Sequence, residues 1–76
     1  METNAKDIEF TAAYDRAVER IPSEIGQRTL DELAFLIWAC RANARTRSEM
    51  HGQIARKFGY HVADAWDRGL IKPEEI

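Results

Sequence analysis

The prolines and glycines at positions 22, 26, 52, 59, 69 and 73 cut this 76-residue chain into helix-length pieces, and within the pieces apolar residues recur every three or four positions. No strand-like alternation persists for more than a few residues, and there is no internal repeat or low-complexity tract. The pattern predicts an all-α fold, a small bundle of three to four helices forming a single helical domain over 1–76, with 71–76 as a frayed tail. A domain of this size buries only about 60% of the surface its unfolded chain exposes, so dimerisation is a natural way to complete the core.

The first helix is expected from Lys6 to Arg20. Phe10, Tyr14, Ala17, Val18 and Ile21 share one face, and Pro22 is the stop, because proline disfavours helical geometry in the residue before it. The second is expected to open on Thr29 and Glu32, whose spacing is that of a capping box. Its stripe of Leu30, Leu33, Ala34, Ile37, Trp38 and Arg41, widened by Phe35 and Leu36, marks it for the centre of the core. Thr46 and Glu49 repeat the box and predict a third helix to Phe58, with Met50, Ile54, Ala55 and Phe58 inward and Gly59 at its end. One continuous helix from Leu30 to Phe58 is the alternative, and it is too long to pack within a monomer of this size; a break near 41–47 is the favoured reading. A fourth helix, His61 to Arg68, brings Val62, Ala65 and Trp66, stops at Gly69 and lets Leu70 and Ile71 fold back.

Hydrophobic residues at 45% and charged residues at 32% suit a globular chain. The longest nearly uncharged run, Leu33 to Cys40, is far shorter than the roughly 20 residues a spanning helix needs. The first residues carry neither the basic start nor the apolar stretch of a secretory signal, so the expected location is the cytoplasm, away from any membrane. Cys40, the one cysteine, sits beside Ile37 and Trp38 and reads as a small buried hydrophobe. The spacings among Cys40, His51 and His61 match no metal-ligand motif, and no phosphate loop, paired-carboxylate site or nucleophile motif is present. The expectation is therefore a protein that is not an enzyme and uses no metal or cofactor.

The net charge of −2 hides an asymmetry. Residues 1–32 carry four basic and eight acidic side chains, whereas residues 41–72 carry seven basic and three acidic ones. Arg41, Arg45, Arg47, Arg56 and Lys57 form a candidate surface for an anionic partner. An acidic protein face satisfies that surface as well as nucleic acid does, and so does this chain's own acidic half, within the fold or across a dimer.

The stretch Ile54-Ala55-Arg56-Lys57-Phe58-Gly59-Tyr60 resembles the first helix and turn of the helix-turn-helix of phage repressors, with Ile54, Ala55, Gly59 and Tyr60 at the family's spacing. The resemblance covers His51 to Leu70 and implies a DNA-reading helix using His61, Ala63, Asp64 and Asp67. It departs from the family at Ala65 and Arg68, where bulky apolar residues are the rule, and Asp64 and Asp67 would face or flank phosphates. Weighed together, these features predict a small regulatory binding module for another protein, acting as a homodimer, with a small helix-turn-helix DNA-binding regulator as the alternative.

Overall fold

The computed structural model describes residues 5–73, with side chains from Glu9 onward. Among these residues there are four helices and no strand: α1 (Ala5–Glu24), α2 (Gln27–Cys40), α3 (Arg47–Phe58) and α4 (Tyr60–Asp67). The all-α expectation holds.

Two boundaries differ from the sequence reading. Pro22 lies inside α1, and the helix continues to Glu24. In the last turn a proline forfeits only one hydrogen bond, and the Ile25 amide still reaches the Ile21 carbonyl at 2.8 Å. Ile21 and Ile25 both pack on the core, and that packing outweighs the local preference of the residue before proline. The second difference is the start of α2, which begins at Gln27 with the extended Gly26 as its cap and no side-chain cap bond. Thr29 falls inside the first turn, and Glu32 pairs with Arg28 at 3.5 Å instead of reaching back to a free amide. Gln27 and Arg28 are good helix formers, so the helix starts as soon as Gly26 permits.

At α3 the sequence signal is realised almost as written. The Thr46 hydroxyl accepts from the Glu49 amide at 3.1 Å, while the Glu49 carboxylate accepts from Arg45 N–H at 3.0 Å, one residue outside the usual box. Between α2 and α3 the amides of Asn43 and Ala44 both donate to the Cys40 carbonyl, and Ala44 is buried, so the chain turns sharply there. Thr46→Ala should lower stability by about 1 kcal/mol, read as a shift in urea midpoint at unchanged slope.

Two glycines shape the other end. Gly59, at φ 99° and ψ 161°, is the only residue between α3 and α4, and its amide caps α3 by donating to Ala55 O at 3.0 Å. Gly69, at φ 76°, closes α4 in a Schellman turn: its amide donates to Trp66 O at 3.1 Å, and that of Leu70 to Ala65 O at 2.9 Å. This turn sends Ile71 back into the core, where it is 6% exposed, while Leu70 stays outside. Ile71 thus belongs to the packed body, whereas 74–76, the last three residues of the expected tail, lie outside the described residues.

The helix at the centre is α3, not α2. The backbone of α3 comes close to both α2 and α4, and that of α4 also to α1, while α1 and α2 both contribute side chains to one shared core. Val18, Leu33, Ile54, Ala63 and Ala65 are fully buried where these elements meet. Phe10, assigned by its spacing to the inner face of the first helix, is 73% exposed. The described contacts of α1 with α4, Tyr14 to Asp64 and Asp15 to Arg68, begin one turn further along.

Candidate partner-binding surface

The apolar stripe that runs around more than a third of α2 is covered only in part. Leu33 and Ala34 are buried, and Leu30, Leu36, Ile37 and Cys40 pack partly against the core. Phe35 remains 56% exposed and Trp38 40% exposed. Their place on the apolar stripe predicts burial for both, and the structure leaves both outside. At about 100° per residue Phe35 lies about 200° around the helix from Leu33, so both can be buried only with protein on both sides. Their rings touch, with centroids 5.9 Å apart, and the Arg41 guanidinium lies over the Trp38 ring at 5.3 Å. Beside Phe35 runs an open groove of about 580 Å³, lined also by Arg28, Asp31, Glu32 and Lys57.

The structure does not gather the five basic candidates into one patch. Arg41 stacks on Trp38, as described. Arg47 is committed at the far end of α4: its Nε donates to Asp67 at 2.8 Å, its guanidinium lies 4.4 Å from the Trp66 ring centre, and it donates to the Trp66 and Asp67 carbonyls. Arg45 is exposed in the turn before α3. Lys57 borders the Phe35 groove, while Arg56 borders a separate depression with Asn43, Glu49 and Gln53. The helix ends at Cys40, so no helical face joins Arg41 to Arg45.

No protein-family model, curated protein or solved structure matches the chain.

The residues of the helix-turn-helix resemblance can be placed by geometry alone. Ala63 is fully buried, and Asp67 is engaged by Arg47. Asp64 is turned inward, accepting from the Tyr14 hydroxyl of α1 with one carboxylate oxygen and from His51 Nε2 of α3 with the other, at 2.7 Å. His61 is exposed, with its ring 4.7 Å from that of Tyr14, and Tyr60 is 68% exposed. An outward face on α4 therefore has His61 and Tyr60 to offer, and neither Ala63 nor Asp64.

The Tyr14–Asp64–His51 cluster had no signature in the sequence, since its members are 50 and 13 residues apart. The hydrogen bond from Tyr14 and that from His51 hold the Asp64 carboxyl below its ordinary range. Burial, together with the adjacent carboxylate, pushes the Tyr14 phenol up to about 12. With Arg68 and Asp15 paired at 3.0 Å alongside, these groups pin α1 and α3 to α4. Among the described residues no cluster of histidine, cysteine or carboxylate side chains could hold a metal ion, and no helix is long and apolar enough to cross a membrane.

Proposed function

We propose that this protein is a regulatory recognition module, acting in the cytoplasm by binding protein through the outer face of α2. The observation that carries the reading is the exposed Phe35–Trp38–Arg41 stack on the outer face of α2. Tryptophan and arginine dominate interface hot spots, and two adjoining rings with a guanidinium across one of them supply that chemistry without any need for a catalytic centre. The groove beside Phe35, lined by Arg28 and Lys57 as well as Asp31 and Glu32, gives the apolar patch a charged border, as protein interfaces commonly have.

The test is capture from host extract on immobilised wild-type and Trp38→Ala protein, with protein and nucleic acid both assayed in the eluate. The expected result is a retained protein that survives moderate salt and disappears with Trp38→Ala. Retention of nucleic acid that falls steeply with salt, and is lost with Arg56→Ala and Lys57→Ala, would replace this reading with a helix-turn-helix regulator using residues 51–70.

A further inference from the structure

We infer that the partner of the α2 face is an acidic segment of another protein, one that lays a large apolar side chain across Phe35 and Trp38 and offers carboxylates on either side to Arg41 and Lys57. This rests on the reading of that face as a binding surface and names the chemistry of what binds there.

On this face the acids are answered and two of the cations are not. The groove beside Phe35 is lined by Asp31 and Glu32 together with Arg28 and Lys57. Both carboxylates are met along α2 itself: Asp31 accepts from Gln27 Nε2 at 3.0 Å, and Glu32 pairs with Arg28 at 3.5 Å. Lys57 borders the same groove from α3, is exposed, and has no hydrogen-bond or ion-pair partner among the described residues. Arg41, beyond the other end of the aromatic pair, is exposed too, and its one described contact is with the Trp38 ring at 5.3 Å.

That contact restrains the guanidinium and leaves its N–H donors without a protein acceptor. A guanidinium in this state suits a carboxylate, which it can hold through two parallel hydrogen bonds. A side chain partly ordered before binding also loses less rotamer freedom when the partner arrives. The face therefore presents apolar surface at its middle, Phe35 and Trp38, with an open positive charge toward each end. Phe35 and Arg41 are separated by a rise of about 9 Å along α2, room for one large side chain between two charged ones.

Other partners fit this arrangement less well. A basic segment would meet carboxylates that are already engaged and two cations that repel it. A nucleic acid carries its charge continuously, one per roughly 1.7 Å of duplex, and would bring phosphates against Asp31 and Glu32 as well as against the cations. A polypeptide carries its carboxylates on separate side chains, so it can place them at the two ends and keep the middle apolar. Aromatic anchors at the centre and charged pairs at the edge are the usual division of labour in a protein interface.

Fluorescence anisotropy of a labelled, end-capped peptide, titrated with the intact chain to about 1 mM, tests the inference. The probe is Asp-Glu-Leu-Phe-Glu-Asp, and its control carries lysine at every carboxylate. The acidic probe should saturate and the lysine control should not. Trp38→Ala should weaken the binding about tenfold or more, and Arg41→Ala and Lys57→Ala about threefold each, all with helical circular dichroism unchanged. Arg56→Ala removes the same charge from the separate depression on α3 and should leave the affinity as it is. Arg41→Glu combined with Lys57→Glu should reverse the preference and take the lysine peptide. A wild-type chain that binds neither peptide, or binds both alike, overturns the acidic partner; retention of a protein that depends on Trp38 in the capture experiment would then keep the recognition-module reading with a partner of other chemistry. A labelled single-stranded oligonucleotide bound more tightly than the peptide, with steep loss in salt, would give the face to nucleic acid and overturn the inference. So would a dimer of the chain alone, seen by sedimentation equilibrium and lost with Trp38→Ala.

Discussion

Replacing Ile54 by alanine is expected to cost about 3–4 kcal/mol and to lower the melting temperature by about 15–25 °C, the largest effect of any single truncation on α3. Ile54 is fully buried on the helix that contacts both α2 and α4, so the cavity opens where these elements meet and no flexible loop can collapse into it. The total stability of a 76-residue chain is about 4–11 kcal/mol. The loss is therefore a large share of the whole, and the variant should approach unfolding at 37 °C. Far-ultraviolet circular dichroism against temperature reads the result. A drop under about 5 °C would show that α3 is not the centre of the core.

The contrast between Ile54 and Phe35 shows what the sequence could and could not convey. Ile54 belongs to a stripe with a single possible inside, bounded by the Thr46 cap and by Gly59, and both ends stand where local chemistry places them. Phe35 belongs to a helix that is apolar on two sides, and periodicity cannot say which side a short chain has the material to cover. Deciding that requires knowing how α1, α3 and α4 pack around one core and which face of α2 they reach, a long-range outcome with no local marker. Boundaries failed for a related reason. Pro22 and Thr29 are genuine stop and start signals, but burial of Ile21 and Ile25 overrode the first, and an adequate glycine cap two residues upstream of Arg28 pre-empted the second. The basic residues were visible as a run in sequence and were dispersed by the turn at 41–46. Asp64 is the reverse case: a residue suspected of facing DNA is an internal tie between helices, and only the fold brings Tyr14 and His51 to it.

That tie gives Asp64 a pH signature. Its carboxyl titrates lower in the folded chain than in the unfolded one, so its contribution to stability is fully present above the unfolded value, about 3.9, and is lost as pH falls through the folded value. Tyr14 has the opposite sign. With its phenol raised to about 12, its contribution is complete below pH of about 10 and disappears as pH climbs toward 12. Two pH units would correspond to about 2.7 kcal/mol at full effect, and solvent screening of a partly exposed group reduces that to about 1–2 kcal/mol. Asp64→Ala strands the Tyr14 hydroxyl and removes the acceptor of His51, at a cost of about 2–3 kcal/mol near neutral pH. Asp64→Asn keeps an acceptor for the phenol and gives up the charge, so it should lose less. Its stability should also fall less steeply below pH of about 4, because the group whose proton uptake drove that loss is gone. Urea titrations of the three proteins across the acid range, with the phenolate absorbance of Tyr14 followed at high pH, separate these effects. Parallel acid limbs in wild type and Asp64→Asn, or a Tyr14 that ionises near 10, would show that the contact between α1 and α4 does not depend on this carboxylate.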